Sequence, residues 1–224
     1  MGIIGDIVKR VGNSEWGLGL SLAQREQLER YAEILVDWNA TRMNLTRIVE
    51  PSEIAMKHFV DSLSVLTVVD VPFGARIIDV GTGAGMPGIP LKIARPDIKV
   101  MLLDSTAKKL TFCKAVIDDL KLEGIEAVHG RAEDISRLPD HRHSYFAATA
   151  RAVASLDKLL PWCVPFVAPG GVIVALKGPA VVDEYEAAAP IAKRFRIRLE
   201  APRGINLAGE EDMSERRIVI GRVG

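Results

Sequence analysis

Two periodicities divide this chain. From Ser21 the apolar positions Leu28, Tyr31, Leu35 and Trp38 fall at three- and four-residue steps, the spacing that gathers side chains on one face of a helix. Ser21 with Gln24 three residues on is a capping-box signature, so this helix is expected to begin there and to end near Asn39. A polar stretch from Asn39 to Thr46 separates it from a second helix, expected from Pro51 to about Val68 with Ile54, Phe59, Leu63 and Leu66 as its apolar stripe. Residues 1–20 carry only a short apolar patch and five glycines and read as a loosely attached, flexible arm.

After Pro72-Phe73-Gly74 the pattern changes to short runs of Val, Ile, Leu and Ala that alternate with helical stretches. Strands are expected at 76–80, 99–103, 125–129, 145–150 and 172–177, and in the tail at about 195–200 and 216–222 around a loop from Arg203 to Ser214. Helices are expected at 88–94, 106–120, 153–166 and 182–193. The alternation predicts an α/β, Rossmann-like fold: a seven-stranded, mostly parallel sheet with helices on both faces and an antiparallel pair at its edge. Right-handed crossovers then bring Gly81 to Gly85, Asp104, Gly130 to Glu133 and Arg151 to one edge of the sheet. The expected organisation is an arm (1–20), a helical extension (21–70) and an α/β domain (71–224).

Composition narrows the partners. At 224 residues and 48% hydrophobic content the chain suits one sizeable domain with an appended element better than two domains. Lys plus Arg and Asp plus Glu both total 29, so a polyanion must be met by a local patch, for which Arg42, Arg47 and Lys57 are candidates. Cys113 and Cys163 sit in apolar patterns with no metal-ligand spacing, and nothing indicates a metal. Residues 1–11 are too short in apolar core for a secretory signal, and the apolar region 164–176 is broken by Pro165, Pro169, Gly170 and Gly171. A cytoplasmic protein with no membrane contact and no obligate protein partner is expected.

The chemistry is signalled where the apolar run Ile77-Ile78-Asp79-Val80 breaks into Gly81, Gly83, Gly85 and Gly88 and then turns helical. Such glycines allow positive φ and let a ligand lie against bare main chain beside free helix N–H groups. In the dinucleotide fingerprint G-x-G-x-x-G counted from Gly81, the third glycine would be at Met86, which weakens that reading. Asp79-x-Gly81-x-Gly83-x-Gly85 fits better as the D-x-G-x-G-x-G pattern typical of S-adenosylmethionine-dependent methyltransferases. About twenty residues on, Asp104 ends the next apolar run, where a carboxylate can accept from both ribose hydroxyls.

Methyl transfer from S-adenosylmethionine is an in-line displacement in which alignment does most of the work. Exocyclic-amine enzymes carry Asn or Asp followed by Pro-Pro and an aromatic near the fourth strand; here that place reads Ala147-Ala148-Thr149-Ala150-Arg151-Ala152. Covalent catalysis is disfavoured too, because Cys163 lies inside an apolar helix pattern with nothing to lower its pKa. A ring nitrogen such as guanine N7 needs no base. His58, Asp61 and Ser62 can share one helix face, a pattern that suits a hydrogen-bonded surface patch as well as contact with an acceptor.

Several motifs now fall into order along the chain: Asn44-Leu45-Thr46, His58 with Asp61-Ser62, and Asp79 to Leu91 with Pro87-Gly88 straight after the glycine loop. Leu103-Asp104-Ser105, Arg131-Ala132-Glu133, Arg151-Ala152 and Ala175-Leu176-Lys177-Gly178 follow. Together they resemble the bacterial ribosomal RNA small-subunit methyltransferase G family, also called glucose-inhibited division protein B. The resemblance runs from about residue 20 to the C-terminus. It implies the class I S-adenosylmethionine-dependent methyltransferase fold and N7-methylation of a guanine in 16S rRNA, in a decoding-region hairpin loop of the small ribosomal subunit or an assembly intermediate.

It also implies a cofactor pocket from Gly81, Met86, Ala132, Glu133 and Arg151, to which Gly83, Gly85, Asp104 and Ser105 add by motif position. Arg151, Asp61 and His58 would stand at the reacting centre and Ser62, Lys177 and Asn44 toward the substrate; Lys177 suits a phosphate or plain solvation about equally. Met86 stands where the family often has Leu or Phe, and Ala150 where Ser is common. A small-molecule methyltransferase and a non-catalytic, ribosome-associated binder of the same cofactor are the rival readings.

Overall fold

The computed structural model describes residues 2–205 and 216–224. One sheet organises it. Strands β1 (Arg76–Val80), β2 (Lys99–Asp104), β3 (Ile125–His129), β4 (Tyr145–Arg151), β5 (Val167–Lys177), β6 (Ile197–Leu199), β7 (Arg203–Gly204) and β8 (Arg217–Val223) lie in the order β3-β2-β1-β4-β5-β8-β6. The first five are parallel; β8 is antiparallel to β5, β6 and β7. The seven expected strands are all present. The additional β7 falls at the start of the expected 203–214 loop, whose remainder from residue 206 lies outside the described residues. Strand β5 begins five residues early, because an irregularity opposite Tyr145 and Ala147 lets Val167 pair before Val172 resumes the ladder.

Alternation along β1 explains the two layers. Ile77 faces one apolar cluster with Val100, Leu102, Ala147 and Val174, and Ile78 faces the other with Met101, Leu103, Ala148 and Ile173. The first face is covered by α1 (Ile3–Lys9), α2 (Leu22–Thr41), α6 (Gly88–Ala94) and α7 (Ala107–Asp119), and by the segment of α3 (Pro51–Ile54), α4 (Asp61–Leu63) and α5 (Val65–Val68). The second is covered by α8 (Ala132–Ile135), α9 (Leu156–Cys163) and α10 (Val181–Arg194). Among the described residues no helix is long and apolar enough to cross a membrane.

Helix α2 starts as its capping box requires: Ser21 Oγ accepts from Gln24 N at 3.2 Å and Gln24 Oε1 accepts from Ser21 N at 2.8 Å. The Gln24 amide also donates to the Ile93 and Ala94 carbonyls at 2.8 and 3.0 Å, satisfying the open end of α6. The expected helix over 51–68 is not continuous: between α3 and α4 it widens into a π-helical turn, Ala55–Val60. The reason is in the stripe itself. Ile54 and Phe59, both fully buried, are five residues apart, a step that matches the i→i+5 turn and departs from the three- and four-residue steps of an α-helical stripe.

The first twenty residues do not trail as an arm. They form α1 and a following π-helical turn (Arg10–Glu15), and Ile4, Val8 and Val11 are buried in the cluster that backs the sheet. Truncating Val8 to Ala should therefore lower stability by about 2 kcal/mol. Urea unfolding checks this; a detached arm would leave the midpoint unmoved.

Candidate active site

The site is built on Asp79, fully buried at the end of β1. Its Oδ2 accepts from Thr82 Oγ1 at 2.6 Å and from Gly88 N at 3.0 Å, and its Oδ1 from Thr149 Oγ1 on β4 at 3.1 Å. Burial pushes its carboxyl up to about 6 against these three donors. Between Val80 and Gly88 the chain turns through Gly81, Gly83 and Gly85 at φ of +70°, +60° and +86°, and the Met86–Pro87 bond is cis. A Cβ at Gly81 would stand 2.7 Å from Val153 Cγ2, and one at Gly85 2.4 Å from Ile89 Cδ1. Asp104 fastens the loop from β2: Oδ2 accepts from Gly83 N at 3.0 Å and Oδ1 from Thr106 N at 2.8 Å. From α2 the buried Tyr31 phenol donates to the Ala84 carbonyl.

Beside this loop lies a cavity lined by Gly81, Asp104, Ser105, Ala132 and Glu133, together with Gly130, Arg131, Val153 and Trp162. It combines bare main chain, two carboxylates and two apolar walls. On its other side a second cluster gathers around Arg151. The guanidinium donates through Nη1 to the Lys57 carbonyl at 3.0 Å and to Asp61 Oδ2 at 3.2 Å, and through Nη2 to Met86 Sδ at 3.0 Å. Next to Asp61, His58 Nε2 meets Thr46 Oγ1 at 3.1 Å. Burial, reinforced by the Arg151 charge, lowers His58 to about 4, so its ring is neutral at pH 7.

A family model described as rRNA small subunit methyltransferase G matches residues 24–197. The chain belongs to that family. Two curated relatives named ribosomal RNA small subunit methyltransferase G are similar over most of its length. That of Thermoanaerobacter sp. is 43% identical over 196 residues, 88% of this chain and 81% of the relative. That of Desulfitobacterium hafniense is 46% identical over 179 residues, 80% and 73%. Among solved structures, a SAM-dependent O-methyltransferase from Thermotoga maritima shares the fold with a TM-score of 0.57 at 18% identity, over 85% of this chain and 71% of the other. P. horikoshii TYW2, solved with MeSAdo, does so with a TM-score of 0.58 at 13% identity, over 74% and 62%.

The cofactor of this methyltransferase G family member is therefore S-adenosylmethionine. The cavity fits it: Gly81 forms a cradle that a Cβ would fill against Val153, and the carboxylates of Asp104 and Glu133 stand ready for hydroxyl or amino donors. Asp104, expected to accept from the ribose hydroxyls, also fastens the loop through both oxygens, each of which keeps a further lone pair. Gly83 and Gly85 shape the loop without lining the cavity, and Met86 and Arg151 lie outside it, bonded to each other. Val153 and Trp162 escaped the sequence reading. Trp162 looks like an ordinary position of an apolar helix, and Val153 carries no signal in the sequence; in the structure it follows Ala152, a non-glycine residue at φ +54°.

The structure brings Arg151, Asp61 and His58 together, engages Lys177 and Ser62 with other partners and leaves Asn44 exposed. Lys177 does not face an open edge: its Nζ donates to the Ala154 carbonyl at 2.6 Å and pairs with Glu184 at 2.5 Å, tying β5 to α10. Ser62 is fully buried and donates to the His58 carbonyl one turn back, as serines inside helices do. Asn44 is exposed, and it is Thr46, two residues on, that reaches His58.

Two outcomes follow from this geometry. Gly81→Ala should weaken S-adenosylmethionine binding at least tenfold and lower Tm more than Gly83→Ala, because both incur the positive-φ cost of about 1 kcal/mol but only Gly81 faces Val153. Titration calorimetry and thermal melts check this. For Asp79 the folded pKa lies above the unfolded one, so its contribution is fully present below about pH 4 and is lost as pH rises through 6. Relative to Asp79→Asn, the wild type should lose about 2 kcal/mol between pH 4 and 7, measured by urea unfolding across that range.

Proposed function

We propose that this protein transfers the methyl group of S-adenosylmethionine to N7 of a guanine in 16S rRNA, in a decoding-region hairpin loop, within the small ribosomal subunit or an assembly intermediate. The observation that carries the reading is the family match over residues 24–197. The cofactor, when bound, supplies the methyl group as a carbon on a cationic sulfur.

The chain's own residues contribute position more than proton transfer. The main chain of Gly81 and the Val153 and Trp162 walls hold the donor and keep water out. The in-plane lone pair of N7 carries no proton to lose, so no general base is required of the neutral His58. Strand β4 ends in Thr149-Ala150-Arg151, without the Pro-Pro motif of amine methylation, and Cys163 is buried with its thiol pKa pushed up, which supports neither an amine acceptor nor a covalent route. Residues 21–70 would shape the acceptor side of the methyltransferase domain 71–224. Exposed Arg42 and Arg47, with Lys57 beyond them, would meet phosphates there, in a cytoplasmic setting.

Labelled S-adenosylmethionine incubated with small subunits lacking the modification, and in parallel with naked 16S rRNA, should label one guanine, mapped by chemical cleavage at N7-methylguanine. Absence of transfer to both, with cofactor binding intact, would move the reading to a small-molecule acceptor or a non-catalytic binder.

A further inference from the structure

Resting on that assignment of a guanine acceptor, we propose that His58 and Asp61 read the Watson–Crick edge of the base, His58 Nδ1–H donating to O6 and Asp61 Oδ1 accepting from N1–H. Among the described residues three buried side-chain polar atoms lack a hydrogen-bond partner: Arg25 Nη1, His58 Nδ1 and Asp61 Oδ1. Two of the three belong to residues only three apart, where the π-helical turn passes into α4 beside Arg151. Buried orphans are costly unless a partner arrives in the working state.

The proposal assigns the polarity of the two atoms as follows. Thr46 Oγ1 accepts from Ile48 N at 3.0 Å and gives its single proton to His58 Nε2, 3.1 Å away. His58 is neutral at pH 7, so its own proton is on Nδ1, which is thereby an unpaired donor. Asp61 Oδ1 is an acceptor, and Arg151 holds the other oxygen at 3.2 Å, which decides which oxygen stays free. The two atoms three residues apart thus offer one donor and one acceptor.

Guanine presents the complement, an acceptor at O6 beside a donor at N1. Adenine and cytosine present the reverse, an amino donor beside a ring-nitrogen acceptor, and would leave both orphans unpaired and opposed. Uracil shares guanine's polarity but has no N7 to methylate. Neither protein atom is open to solvent here, so the base must part the side chains over them. A mismatched base would not recover that opening cost, which is how a buried polar site discriminates.

The test uses small subunits reconstituted with guanine, inosine or adenine at the target position. Wild type should methylate the guanine and inosine subunits alike, since inosine keeps O6 and N1–H, and adenine-substituted subunits should compete at least tenfold more weakly than guanine ones. Asp61→Asn can keep one oxygen on Arg151 while placing an amide N–H where the acceptor was. It should lower the guanine-over-adenine ratio at least tenfold in kcat/KM and in competition, with S-adenosylmethionine affinity unchanged. His58→Asn, which keeps a donor, should retain the preference and His58→Leu should lose it; this pair decides the matter if Asp61→Asn fails to fold. Rejection of inosine by wild type, or an unchanged ratio in Asp61→Asn and His58→Leu, would overturn the assignment. Failure of wild type to methylate guanine subunits would instead sink the proposed function beneath it.

Discussion

The buried carboxylate of Asp79 is what the functional edge depends on. Burial disfavours its charge, and the three donors that meet it come from three different places: the glycine loop at Thr82, the start of α6 at Gly88, and β4 at Thr149. Each bond therefore fixes one element relative to another. The close approach at Gly88 admits no side chain, since a Cβ there would stand 2.3 Å from Leu102 Cδ2 and 3.0 Å from the carboxylate itself. The loop keeps its shape because its two ends are held by one side chain, and Asp104 then holds its middle.

The N-terminal helices are joined to that loop. Tyr31 reaches the Ala84 carbonyl, Gln24 closes the end of α6, and Arg30 pairs with Asp119 at the end of α7 at 2.8 Å. Tyr31 also packs against Phe59 and Phe112, with ring centroids 5.3 and 6.2 Å apart. The cluster around Arg151 is thus carried on the core that supports the glycine loop. Arg151 closes the arrangement, with one guanidinium touching the π-helical turn, Asp61 and Met86.

Most of the scaffold was legible in the chain because it rests on local signals. The alternation of strands and helices, the Ser21 capping box and the glycines after Asp79 each have a short-range physical cause. What failed to show was decided at long range. The burial of Ile4, Val8 and Val11 depends on a surface formed by residues far along the chain, so a short apolar patch looked like an arm. Lys177 read as a phosphate contact or a solvated side chain about equally, because the turn from β5 into α10 that brings Glu184 back onto it leaves no mark in the pattern. Ser62 had the right neighbourhood, but its hydroxyl is spent on the His58 carbonyl one turn back, next to a π-helical turn that periodicity does not reveal. Val153 and Trp162 were invisible for the opposite reason, since a cofactor wall and a core residue are chemically the same.

Strand β8 follows β6 in the chain yet lies between β5 and β6 in the sheet. During vectorial synthesis β6 and its preceding helix therefore wait without a sheet neighbour until β8 has been made and has slipped into the gap. Cleavage ahead of β8 would open two strand edges rather than trim one, exposing β5 at the centre of the sheet as a template for pairing with another chain. The last strand acts as a keystone, and quality control of this fold comes down to whether that one strand is in place.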